Sequence, residues 1–211
     1  MFKEKKIPVV IATKNNGKIR EIKGFFNDIK KIKLLTFADF KDFPDVTEGS
    51  NSFFENAIIK AEEISKFTGK ITLAEDSGLE VDALGGKPGV NSSIYAGKSA
   101  TDKDNRIKLL DKLSGFSSLK DRTARFICHM IVWHPKLGMV GKSTGVCEGK
   151  IGFKEAGING FGYDCIFIPE GYNKTMAQLS GREKNSISHR GKALRGLHDC
   201  LAGLSAEILK L

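Results

Sequence analysis

Residues 7–13, IPVVIAT, are apolar and rich in β-branched side chains, the pattern of a short buried strand. Residues 17–26 (GKIREIKGFF) then place Ile19, Ile22, Phe25 and Phe26 at helical spacing, and 31–37 (KIKLLTF) give a second strand. In 51–67, Phe54, Ala57, Ile58, Ala61 and Ile64 share one helical face. Ser50, Asn51 and Ser52 offer caps, and Ser52 with Glu55 fits a capping box. Residues 70–78 (KITLAEDSG) predict a strand that ends in two acids and a Ser-Gly turn, and 84–93 (LGGKPGVNSS) a loop. A Thr101-capped helix follows over 101–113. Residues 123–134 and 138–151 read as an antiparallel strand pair turned by HPKLG, and 163–169 (YDCIFIP) as a further buried strand. The chain closes on a helix in which Leu194, Leu197, Leu201, Leu204 and Ile208 form one apolar stripe. The order βαβ, helix, strand, several strands, helix predicts an α/β fold on a mixed sheet.

A chain of 211 residues, 40 % hydrophobic and 28 % charged, fits one ordinary globular domain, or one domain with two lobes. No apolar run approaches the length of a membrane span, and the N-terminus lacks a signal-peptide pattern, so a cytoplasmic protein is expected. Cys128, Cys147, Cys165 and Cys200 form no C-x-x-C, and three of them sit in apolar runs, where free cysteine reads as core filler. The net charge of +9 favours polyanions, but the lysines are scattered and no nucleic-acid motif is present, leaving solubility or nucleotide phosphates as the plainer readings.

Five stretches could carry chemistry. ATKNNGK (12–18) has the layout of a phosphate loop: strand end, polar turn, lysine, helix start. Ala12 and Ile19 break the G-x-x-x-x-G-K-[ST] pattern. In AEDSG, Glu75 and Asp76 are adjacent and so point to opposite faces of a strand. A carboxylate at the carboxyl end of a strand suits a ligand site. Asn56 and Lys60 lie four apart on one helical face, where Lys60 alone reads as a solvated surface lysine. Gly160 and Gly162 flank Phe161, either a wide turn or a stacking platform for a ring. Arg182, Lys184, His189 and Arg190 precede or open the final helix, which Ser186 or Ser188 can cap, and suit an anion or a carbonyl.

Taken in order, ATKNNGK (12–18), SFFENAIIKA (52–61), AEDSGLEVDALGGKPGV (74–90), GFGYDCIFIP (160–169) and REKNSISHRGKAL (182–194) resemble the inosine/xanthosine triphosphate pyrophosphatases, a family acting on non-canonical purine nucleotides. The resemblance spans nearly the whole chain. It implies hydrolysis of ITP, dITP and XTP to the monophosphate and pyrophosphate with Mg²⁺, in a homodimer whose long mixed sheet forms two lobes around a central nucleotide cleft. By motif position, Thr13, Lys14, Asn15, Asn16, Gly17 and Lys18 would cradle the triphosphate. Asp76 would be proton acceptor and Mg²⁺ ligand, Glu48 a second metal-site acid, and Ser77 a substrate contact. Phe161, Gly162, Tyr163, Asp164, Lys184, His189 and Arg190 would hold the nucleotide, mainly its base. The sequence departs from the family at Lys14, where Gly is common, at Glu75, where Asp is usual, and at Ile94, where many bacterial members carry Arg. The alternatives are a related pyrophosphatase for modified pyrimidine nucleotides and, resting on charge alone, a basic nucleic-acid-binding module. A stable nucleic-acid or membrane partner is not expected.

Overall fold

A computed structural model of the chain describes residues 6–49 and 51–204. Among the described residues, seven strands form one mixed sheet: β1 (Ile7–Ile11), β2 (Ile32–Leu35), β3 (Ile71–Val81), β4 (Pro88–Gly89), β5 (Thr123–His134), β6 (Gly138–Ile151) and β7 (Phe167–Pro169). Their order is β2-β1-β3-β5-β6-β7, with β4 paired to β3. The helices are α1 (Asn16–Phe25), α2 (Phe53–Thr68), α3 (Asp102–Lys112), α4 (Gly181–Ile187) and α5 (His189–Gly203). β1 runs parallel to β2 and β3, as the βαβ reading requires, whereas β3–β4 and β6–β7 are antiparallel. Among the described residues no helix is long and apolar enough to cross a membrane.

The chain divides into two compact units. The first holds the described residues up to Asp76, His129–Thr144 and those from Ala193 onward; the second holds Ser77–Cys128 and Gly145–Lys192. In the first, Val10, Leu35, Ala57, Ala61, Ile64, Ala74 and Ile131 form a core on which α2 packs. In the second, Leu79, Val81, Leu109, Leu113, Phe126, Ile151, Ile166 and Phe167 do the same.

The local signals act where the sequence places them. Ser52 accepts the Glu55 amide at 3.4 Å at the start of α2, and Gly69, at φ 63°, closes its end. Thr101 and Asp104 form a reciprocal capping box on α3, and Ser188 takes the Gly191 amide at 3.1 Å to cap α5. Ser50 and Ile208 lie outside the described residues. Cys128 and Cys147 are buried and all four cysteines are free; burial pushes the Cys147 thiol up to about 11, which suits a packing role.

Four expectations change. The Ser77-Gly78 pair does not turn: β3 continues to Val81 because Leu79 and Val81 fill the second core and Leu79 and Glu80 pair with Gly89 and Pro88. The 84–93 loop accordingly contains the two-residue strand β4. The strand expected over 163–169 shrinks to Phe167–Pro169, since Asp164 and Ile166 turn back on the Phe161 and Tyr163 carbonyls. The final helix is preceded by a separate one, α4, started by a Ser180–Glu183 capping box.

Candidate functional site

Two groups of polar side chains, one in each unit, hold most of the candidate residues. The first is built on β1, α1, α2 and β3. Glu75 and Asp76 are buried in the middle of β3 at 2 % and 5 % exposure, an expensive position for two carboxylates unless both are partnered. They are, and by different lysines, as side chains alternating across a strand require. Lys18, in the first turn of α1, meets Glu75 at 2.8 Å. Lys60 of α2 donates to Asp76 Oδ1 at 3.0 Å, and Asn56, one turn earlier, to Oδ2 at 3.2 Å. Lys60 also reaches Glu48 at 3.2 Å, so one ammonium serves two carboxylates.

Lys60 is therefore not the solvated lysine its isolated position suggests. Burial disfavours its charge, but Asp76, Glu48 and Glu75 outweigh that and raise its pKa above the ordinary lysine value. Glu48 is raised as well, first by burial, with the attraction of Lys60 opposed by the charge of Asp76. The signal for Lys60 lies in the α2 pattern. The buried positions are 53, 56, 57, 60, 61, 64 and 65, so Asn56 and Lys60 share the core-facing stripe with Ala57 and Ala61. Only a buried partner reconciles those residues with that face, and Asp76 is it.

The turn before α1 is more closed than expected. Asn15 caps the helix, its Oδ1 accepting the Gly17 and Lys18 amides at 2.9 and 3.1 Å, while Thr13 Oγ1 accepts the Asn15 amide. A phosphate using those amides has to displace the Asn15 side chain. Asn16 and Gly17 open α1. Lys14 forms an exposed ion pair with Asp45 at 2.6 Å, and the structure pairs it with neither Glu75 nor Asp76.

The second group surrounds Phe161. Lys184 Nζ and Arg190 Cζ stand 5.0 and 5.5 Å from its ring centre. Asp164 Oδ2 accepts both the Phe161 amide at 2.9 Å and the buried Lys184 ammonium at 2.6 Å. Arg190 donates to Ser77 Oγ at 3.1 Å, and the neighbouring His189 stacks on Phe126 with ring centres 4.7 Å apart. Gly162 adjoins Phe161 in the chain, but its backbone bonds go to Asp102 and Arg106 of α3. Tyr163 does not join the group: its ring lies in the apolar core and its hydroxyl donates to the Ser92 carbonyl at 2.8 Å.

Gly160 carries φ +79°, and a Cβ there would run into the Asp164 carboxylate. Gly160→Ala is expected to cost at least about 1–2 kcal/mol for the left-handed backbone alone and to loosen Asp164 from Phe161. Denaturant unfolding checks this; a variant as stable as the parent would show that the turn accommodates the methyl group.

Residues 9–200 match the model of the Ham1 family. The chain is similar to proteins named dITP/XTP pyrophosphatase from Shouchella clausii and Bacillus licheniformis. It is 43 % identical to the first over 200 residues, covering 93 % of this chain and 97 % of the other. It is 47 % identical to the second over 190 residues, covering 90 % and 95 %. Among solved structures it resembles a HAM1 protein from Coxiella burnetii, with TM-score 0.83, 40 % identity, and coverage of 94 % of this chain and 100 % of that one. It also resembles the Staphylococcus aureus Ham1 protein, with TM-score 0.80, 40 % identity, and coverage of 93 % and 98 %.

Proposed function

The chain belongs to the Ham1 family, and from that premise we propose that it hydrolyses dITP, XTP and ITP to the monophosphate and pyrophosphate, removing deaminated purines from the nucleotide pool. The observation that carries the reading is Asp76: a buried carboxylate fixed at both oxygens by Lys60 and Asn56, with Glu48 on the same ammonium.

The reaction joins a water oxygen to the α-phosphorus and breaks the bond to the bridging oxygen of the leaving pyrophosphate. Asp76 takes the water proton, and Lys60 and Asn56 keep its carboxylate from rotating. Lys18 meets the phosphates by exchanging Glu75 for a stronger anion. The donor set fits Mg²⁺, because two oxygen-bearing side chains, Asp76 and Glu48, share a single ammonium and keep net negative charge, and Mg²⁺ favours one or two carboxylates with water and phosphate completing its shell. When bound, Mg²⁺ would neutralise phosphate oxygens and the charge on the departing pyrophosphate.

Base choice is assigned to the second group. Inosine and xanthine present a C6 carbonyl, an acceptor, whereas adenine presents an amino donor. A donor from His189 or Arg190 pairs with the first. Against the second it is left unpaired and buried, at a cost of about 1–3 kcal/mol. Phe161 supplies a ring face for the base, with Lys184 and Asp164 holding its position.

The proposal includes Mg²⁺ dependence, a cytoplasmic location and a homodimer; sedimentation of the purified chain tests the last. The decisive experiment is pyrophosphate release across a panel of purine and pyrimidine triphosphates, with and without Mg²⁺. ITP, dITP and XTP are expected to react with Mg²⁺ and ATP to lag by about tenfold or more. Equal turnover of ATP and ITP removes the base assignment, and preferential turnover of pyrimidines removes the purine reading.

A further inference from the structure

Residues 101–113 enter none of the roles above, yet α3 grips the turn that carries Phe161. Asp102 Oδ2 accepts the Gly162 amide at 2.8 Å, and Arg106 Nη1 donates to the Gly162 carbonyl at 2.9 Å. The spacing of four places both side chains on one face of α3, so one helix holds the amide and the carbonyl of a single glycine. Arg106 is itself oriented, its Nε on Glu155 at 2.8 Å. A surface ion pair would need only Arg106 and Glu155; the two bonds to Gly162 have no part in it. On its other side, Phe161 is held through its amide by Asp164. Gly162 has φ +61° and open space where a Cβ would stand, so without these bonds no side-chain packing at Gly162 itself fixes the peptide.

We propose that Asp102 and Arg106 are positioning residues for base selection: their clamp on Gly162 fixes the plane of Phe161 against Lys184 and Arg190, and so sets discrimination between 6-oxo and 6-amino purines. The inference rests on the reading that Phe161 receives the base. A looser ring plane weakens binding of every base and most affects the one that needs a donor correctly aimed. The effect therefore falls on KM and on the ITP-to-ATP ratio more than on kcat.

The test compares the parent with Arg106→Lys, which keeps the charge and loses the fork, Arg106→Ala and Asp102→Asn. Two measurements are made: steady-state kinetics on ITP and ATP, and amide hydrogen exchange at Phe161 and Gly162. In the alanine variant KM for ITP is expected to rise roughly tenfold and the ITP-to-ATP preference to fall by a similar factor. Arg106→Lys and Asp102→Asn should lie between it and the parent, and the Gly162 amide should exchange faster in Asp102→Asn. A parent that discriminates, with variants that discriminate equally and keep the Gly162 amide protected, overturns the clamp. A parent without preference for ITP overturns the base reading instead, and unchanged exchange in the variants then overturns the clamp as well. Loss of kcat and KM in proportion to lost folded fraction, with the base ratio unmoved, assigns both residues to stability alone and overturns their positioning role.

Discussion

Replacing Asp76 with Asn is expected to lower kcat for ITP by about 10²–10⁴, the range that a positioned general base supplies. Shape is conserved, so the fold should survive: the Asn carbonyl can still accept from Lys60. What is lost is the proton acceptor proposed above and one of the two carboxylates facing that ammonium. The second oxygen is more awkward. Asn56 donates to Asp76 Oδ2, and an amide nitrogen placed there would set donor against donor. A modest loss of stability should therefore accompany the large loss of turnover. Pyrophosphate release under saturating ITP, with a thermal melt on the same sample, separates the two. Full turnover in the variant would take Asp76 out of the chemistry whatever its burial.

How far this site was legible depended on whether a residue's role was local or came from its partner. The α3 helix, the Ser52 cap and the paired strands β5 and β6 follow from periodicity and caps, which neighbouring residues determine. The extension of β3 to Val81 does not: Ser-Gly looks like a turn until Leu79 and Val81 find a core and β4 finds an edge. Lys60 shows the same limit. A lysine reads as exposed because its charge needs water or a counter-ion, and the counter-ion stands 16 residues away on another element. Asn15 shows the converse. The turn before α1 was legible as a helix start, and the helix start uses the very amides that a phosphate would want. Asp102 and Arg106 carried no signal, since each acts on a backbone group about 60 residues further along, and backbone groups leave no trace in side-chain identity.

Lys60→Met should be the most destabilising single change at this site, because it strands the charges that Lys60 holds. Breaking a buried ion pair by removing one partner costs roughly 3–5 kcal/mol. Glu48 is 38 % exposed and partly screened, so the lower end, about 3 kcal/mol, is expected near pH 8. The pH dependence follows from sign. In the parent, the raised pKa of Lys60 gives a stabilisation that is complete below the ordinary lysine value and is lost only as pH rises through the raised one. Between pH 5 and 8 it is constant, roughly speaking, by that linkage. Without the ammonium, the Glu48 carboxyl keeps its burial and the repulsion of Asp76 and loses the attraction that opposed them, which raises its folded pKa further above the unfolded one. Groups shifted that way favour the fold at low pH and oppose it as pH rises through the folded value. The gap between parent and variant should therefore narrow on acidification toward the carboxylate range. Mg²⁺ should narrow it too at neutral pH, by binding the stranded carboxylates in the folded state. Urea unfolding across that pH series measures both effects. Equal stability at pH 8 would mean that water, and not the carboxylate pair, accounts for the Lys60 charge, and a gap that widens on acidification would reverse the assignment of repulsion to Asp76 and Glu48.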